Sequence, residues 1–431
     1  EKPAPKPQQQ ASLGNGGADN ADTQARKAAS GGKGKKSDGG SGASSKYPGQ
    51  VQVRVNRASR YPSAAGGSDG EAYVTFTVAG TNTYNLGGLD GNDTVNLGAN
   101  SIKVGFNDET TLFSGILSGS GDLIKTGDGT LALSGANTFY GVTRVEEGMI
   151  ALNHADALKF SILDTGSVGT QSFNLTLGEG TNYNIGGLQG SADFDLGVAN
   201  VIVGNNNTST SFDGSLKGAF HNSVTKIGTG TLTMTGDSTY MGKTTVSGGA
   251  LIVNGDNSAA IGEITVASGA HLGGDGVLGG DTTVVGKLHT GITNSAAVIG
   301  NLDFDWQDLT FNNGSEWLVD LVRGVTESSD AIGQIGSLTI NSGSTLTFAP
   351  TGSYHGDESF TLASYTSLTG TFSNYSTSGV YTIGGNDYYL DYGTNALTLT
   401  AVPEPGVLGL LSVALGGFFW RTRRRRARRT S

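Results

Sequence analysis

The 431-residue sequence contains no cysteine. That excludes a disulfide framework, a thiolate nucleophile and a cysteine-ligated zinc site. Proline is scarce and unevenly placed: of eight prolines, only Pro350 lies between Ser63 and Val402. Proline removes a donor from a strand ladder, so its near absence over this length fits long, continuous sheet. The five histidines (His154, His221, His271, His289 and His355) are scattered, no two within four residues. That spacing excludes the paired histidines of a metal-binding helix and leaves them as surface or strand residues.

Glycine is abundant, at 71 residues, and threonine, serine, asparagine and valine fill much of the remainder. This mixture favours turns and strands over helices. The length suits two or three average domains or one long repeat array. The net charge of −10 hides three zones. Residues 1–60 carry 11 basic and 4 acidic groups, residues 61–420 carry 9 and 33, and the last 11 residues carry seven arginines. The acidic central body should attract cations and repel nucleic acid, so no nucleic-acid partner is expected. The sequence begins at Glu1 without an apolar leader segment. A secretory signal peptide, if the protein has one, lies outside it.

Residues 1–70 show no sustained apolar periodicity. EKPAPKPQQQ and GGKGKKSDGGSGASSK bury too little apolar surface to offset the entropy of ordering, which predicts a disordered arm. VQVRV at 51–55 reads as one isolated strand. From Glu71 the texture changes, and EAYVTFTV alternates as a half-buried strand does.

An internal repeat decides the fold class. YNLGGL at 84–89 recurs as YNIGGL at 183–188. KTGDGTLALSGANTFYGVTRVEEGMIAL at 125–152 recurs without a gap as KIGTGTLTMTGDSTYMGKTTVSGGALIV at 226–253, an offset of 101 residues. ITVASGAHL at 264–272 and LTINSGSTL at 338–346 share a shorter template. In GTLALSG, Leu131 and Leu133 face one side of a strand, and glycines supply the corners. One such unit cannot bury its apolar face, but stacked copies can. This predicts a β-solenoid over 71–400, with a tandem array of β-sandwiches, about 100 residues each, as the rival. The echoes at shorter spacing favour the solenoid.

The pattern Leu123, Lys125, Gly127, Gly129, Thr130, Leu131, Leu133, Gly135, Asn137, Phe139, Gly141, Thr143, Val145, Gly148 resembles the autotransporter-associated β-strand repeat of bacterial surface proteins. The second copy departs at Asp237, read in place of the asparagine, and at Ser238-Thr239. The best copies are 120–153 and 221–255. The resemblance implies a right-handed parallel β-helix exposed at the cell surface. No set of amphipathic strands of outer-membrane barrel length precedes the end, so self-secretion through such a barrel is not expected.

The tail over 401–431 has three parts. Val402, Pro403, Glu404 and Pro405 come first, and the prolines hold an extended chain. GVLGLLSVALGGFFW at 406–420 has no charge. As a helix it is roughly 22 Å long, short of a hydrocarbon core of about 30 Å. Arg421, Arg423, Arg424, Arg425, Arg426, Arg428 and Arg429 follow, as a positive-inside stop to a short C-terminal membrane helix. The three parts in this order are similar to the PEP-CTERM sorting signal. That resemblance implies recognition by an exosortase, a membrane-bound cysteine transpeptidase, and cleavage near Pro403-Glu404-Pro405.

No catalytic residue is assigned. Gly66–Gly70 satisfies G-x-S-x-G and Gly274–Gly279 satisfies G-x-G-x-x-G, but neither has the strand-turn-helix setting those motifs need. The second reads as a solenoid corner. Gly87 to Val95 resembles one copy of a calcium-binding nonapeptide. Such sites need adjacent copies, so a structural turn is expected; if the segment binds calcium, Asp90, Asn92 and Asp93 are the donors. Asp303, Asp305 and Asp320 form the densest acidic group in the sequence.

The sequence therefore predicts an exported, surface-sorted, non-enzymatic β-helix protein of the cell envelope or extracellular matrix, adhesive or structural, without a cofactor. Its expected partners are an exosortase, transiently; the inner membrane before processing; and extracellular polysaccharide. The alternatives are a polysaccharide-active β-helix lyase or hydrolase and a calcium-stabilised matrix module.

Overall fold

A computed structural model describes residues 54–56, 73–75, 81–166, 173–291, 299–323, 328–353 and 356–402. All helical or extended structure among the described residues is strand. The chain divides into two compact units. One comprises Glu1–Leu272 with Val277–Gly280, the other Gly273–Gly276 with Asp281–Ser431.

In the first unit, short strands stack in parallel, each on the strand one coil earlier. Tyr84, Ile102, Leu123, Thr143 and Leu163 are successive register partners, as are Tyr183, Val201, Val224, Thr244 and Ile264. All ten are buried. Steps along these columns run from 18 to 23 residues, and each raises the chain by one strand spacing of about 4.8 Å. A second face stacks Thr111–Phe113, Thr130–Leu133, Met149–Leu152 and Phe173–Leu175. There Phe113, Leu133 and Leu152 form a column with almost no exposure. The period-2 alternation in sequence is thus the inward and outward alternation of each rung.

The repeat offset is 99 residues at Tyr84 and Tyr183 but 101 at Lys125 and Lys226. Five residues separate the stacked Leu117 from Leu123, and seven separate the equivalent Leu216 from Val224. The longer segment carries Phe220, 66% exposed. The two extra residues are absorbed in a connection, and the strand register on either side is kept.

Corner glycines allow the coils to touch. A Cβ on Gly141 would sit 2.1 Å from the carbonyl oxygen of Gly121 one coil earlier, and one on Gly242 would sit 1.5 Å from that of Asn222. No side chain fits there.

In the second unit the coils lengthen. Leu309 pairs with Leu338, and Leu338 with Leu368; Trp317 pairs with Leu346. The step is now 29 or 30 residues. Wider coils enclose larger side chains: Phe311, Trp317 and Phe372 pack with ring centroids 5.5–6.1 Å apart. The parallel stacking then ends. Ser359–Gly370 pairs in parallel with Ala331–Ile340 on one side and antiparallel with Ala396–Ala401 on the other. Asn386–Tyr392 continues the antiparallel sheet between Ala396–Ala401 and Val380–Ile383. An antiparallel meander thus covers the strand edge that the last parallel rung leaves open.

Three expectations need adjustment. The strand expected at 51–55 is described as Arg54–Asn56, inside the segment read as a disordered arm, and it is paired antiparallel with Tyr73–Thr75. The body is not parallel throughout, because hairpins need only short turns and can finish a sheet that crossovers have built. No helix among the described residues is long and apolar enough to cross a membrane, and the helix expected at 406–420 lies outside the described residues.

Candidate functional site

The repeat places one lysine in each core column. Lys125 is the register partner of Val104 and Val145, and Lys226 of Val203 and Val246. Each lysine is 1% exposed. Lys125 Nζ donates to the carbonyls of Thr126 and Gly127 at 2.6 Å and of Glu147 at 3.4 Å. Lys226 Nζ donates to those of Ile227 at 2.6 Å, Gly248 at 3.3 Å and Gly228 at 3.5 Å. Corner carbonyls thus replace water around a buried ammonium. The corner needs glycine: Gly127 and Gly228 both have φ of 70°.

Burial lowers the pKa of both amines. For Lys125 the carboxylates of Asp108, Glu147 and Asp128 oppose the shift. Their places in the second copy are taken by Asn207, Gly248 and Thr229, and Lys226 falls to about 8. Such a lysine has the proton affinity of a general base, but its burial keeps substrate from it. Asn137 is the other buried polar link. Its Oδ1 accepts from Leu117 N at 2.8 Å and its Nδ2 donates to Ala157 O at 2.9 Å, joining coils on both sides. In the second copy Ser238, not Asp237, stands in its place: Ser238 Oγ accepts from Leu216 N at 3.3 Å.

The acidic group expected from sequence does not assemble. Asp303 accepts from Asn301 Nδ2 and Gln334 Nε2, and Asp305 sits in a left-handed turn. Asp320 is drawn instead to His289 and to Asp330, which sequence spacing had not singled out. His289 Nε2 lies 3.3 Å from Asp320 Oδ2 and 3.6 Å from Asp330 Oδ2. Asp320 and Asp330 are buried. Ser328–Ser329 folds back antiparallel on Glu316–Arg323, and this covers the outward-facing Asp320. Burial raises Asp330 to about 7, against the backbone donors of Asp320 and Gly300 and with the carboxylates of Asp320 and Asp275 adding to the rise.

Beside the acidic turn, Trp306 is 60% exposed. Asp305, Trp306 and Gln334 have φ of 43°, 64° and 52°, a region costly for such residues. Trp306 N donates to Gln334 O, and Gln334 Nε2 to Asp303 Oδ2 at 2.8 Å. Gly336 N donates to Gln307 O. These bonds hold a strained loop that displays an indole to solvent.

Of the other sequence candidates, Asp90, Asn92 and Asp93 lie in a turn tied down at Gly91. Gly91 N donates to Leu112 O, and Gly91 O accepts from Ser114 N and Oγ. Asn92 is exposed, and burial raises the Asp93 carboxyl above its ordinary value. Gly274–Gly279 is flanked by the strands His271–Gly274 and Val277–Leu278, and no helix opens there. The G-x-S-x-G at 66–70 lies outside the described residues. So do Pro403, Glu404, Pro405 and all seven tail arginines. Val402 is the last described residue, and its N–H donates to Asp387 O at 2.8 Å.

Comparison with known families locates the two resemblances. The passenger-associated-transport-repeat model matches residues 123–152 and 224–253, the two lysine corners. The PEP-CTERM protein-sorting motif matches residues 401–425. A stretch of 97 residues, 21% of this chain, is 41% identical to the adhesin BmaC autotransporter of Brucella suis biovar 1 (strain 1330). The match spans 3% of that relative's length. The chain thus carries two passenger-associated-transport repeats of the autotransporter type and, near its C-terminus, a PEP-CTERM protein-sorting motif.

Proposed function

We propose that this is an exported, non-enzymatic surface protein, adhesive or structural, whose body is a right-handed parallel β-helix and whose C-terminus is processed by an exosortase. The observation that carries the reading is the adjacency of body and signal. The last strand, Ala396–Ala401, ends where the sorting motif begins. Val402, Pro403, Glu404 and Pro405 are the segment presented for cleavage, since prolines keep it from joining the sheet. Residues 406–420, which carry no charge, would be the membrane segment of the precursor. Arg421, Arg423, Arg424, Arg425 and Arg426 hold it with the arginines inside. The similarity to an autotransporter adhesin supports a surface role. Deleting Arg421–Ser431 in a host with an exosortase should leave the protein unsorted. Unchanged surface delivery would count against the reading.

Extracellular polysaccharide is the partner class we propose, and Trp306 the contact. A flat indole 60% exposed to solvent offers a stacking face suited to a sugar ring. Trp306→Ala should reduce retention on polysaccharide from the native matrix without lowering the melting temperature. Equal retention would remove Trp306 from the reading.

A further inference from the structure

His289, Asp320 and Asp330 are 31 and 10 residues apart in sequence and come from the strand Lys287–Thr290, the strand Glu316–Arg323 and the residue after Ser328–Ser329, all in the second unit. We propose that they bind one divalent transition-metal ion of the zinc type, through His289 Nε2 and one oxygen of each carboxylate. The ligand atoms all lie within 4.8 Å of one another. The separations of 3.3 and 3.6 Å from His289 Nε2 suit ligands about 2.0–2.2 Å from a shared tetrahedral ion.

Charge points the same way. Two buried carboxylates face each other, with Asp275 close enough to act on Asp330. Among the described residues no lysine or arginine pairs with either carboxylate; His289 Nε2 is the nitrogen that reaches both. Two buried carboxylates facing each other without a lysine or arginine are costly. Asp330 is already oriented, because Gly300 N donates to its Oδ1 and Asp320 N to its Oδ2, both at 2.9 Å. Asp320 is different. Its side chain is 6% exposed, and among the described residues its carboxylate takes no hydrogen bond from outside the trio. A buried carboxylate held this way against an imidazole is a donor pair suited to a shared cation.

The donor set selects the ion. One imidazole nitrogen and two carboxylate oxygens suit zinc and its neighbours. Calcium wants six to eight oxygens and is poorly served. His289 is partly exposed, which leaves a fourth position for water. The ion would pin the Ser328–Ser329 arm to the Glu316–Arg323 strand and to His289.

The test uses the full chain, stripped with a chelator and titrated with Zn2+ by calorimetry. One equivalent should bind, with a rise in melting temperature that chelator reverses. His289→Ala and Asp320→Asn should each weaken binding by more than the roughly 10–100-fold typical of outer-shell changes. His221→Ala, at a surface histidine, should not. Zinc binding that survives both ligand substitutions, or no binding by the wild type, would overturn the proposal. Should the variants fail to fold, Co2+ on the wild type decides. Intense visible bands of tetrahedral cobalt, displaced by Zn2+, support the site, and the pale spectrum of octahedral cobalt contradicts it.

Discussion

Lys125 and Lys226 occupy the same corner in two copies of one repeat, each donating to three backbone carbonyls, yet only Lys125 has acidic neighbours. Asp108, Asp128 and Glu147 stand where the second copy has Asn207, Thr229 and Gly248. The repeat conserves the hydrogen bonding of the buried ammonium and not its countercharge.

A pH dependence follows. Lys226 titrates at about 8 in the folded chain, against 10.5 for a free lysine. Below pH 8 both states hold the proton, and the cost of the buried charge is fully present. Between 8 and 10.5 the unfolded chain binds more protons, so stability contributed at this site rises with pH. Urea midpoints measured from pH 7 to 10 should show the wild type gaining on Lys226→Met. Parallel profiles would contradict the burial of a charged amine.

Asn137→Ala should destabilise by about 2–4 kcal/mol, because the N–H of Leu117 and the carbonyl of Ala157 both lose their partner in a buried place. Asn137→Ser should cost less, since Ser238 satisfies the equivalent Leu216 N–H in the second copy. Denaturant unfolding distinguishes the two, and equal losses would mean the coil-to-coil bridge is not what Asn137 supplies.

Gly141→Ala forces a methyl to within 2.1 Å of the Gly121 carbonyl oxygen, and the coils must part. The expected loss is about 1–3 kcal/mol. Gly178→Ala meets nothing within 4 Å and should stay within about 0.5 kcal/mol of wild type. Thermal unfolding of the two variants side by side checks this.

Alternation and glycine placement made the first unit legible. Leu131 and Leu133 face inward as their spacing requires, and the repeated L-x-K-x-G pattern marks a real corner. Lys125 misleads by its type: a lysine in a strand reads as outward, and only the carbonyl cage explains its place in an apolar column. Ser238 rather than Asp237 takes the place of Asn137, because the gap-free offset of 101 residues fixes the position whatever the chemistry of its neighbours. The turn at Asn312–Ser315, with Gly314 at φ 87°, repeats those at Ala267–Ala270 and Asn341–Ser344. LTFNNGSEW at 309–317 carried that signal. The His289, Asp320 and Asp330 group had no local signal. It depends on a 29-residue coil and a fold-back arm, which the 20-residue rhythm of the first unit does not foretell.

The central claim is that the C-terminal motif sorts and releases this body. Mass spectrometry of the protein recovered from the surface of an exosortase-bearing host tests it most directly. The account predicts a C-terminus near Pro403-Glu404-Pro405, with residues 406–431 gone. A surface protein intact to Ser431 would contradict it.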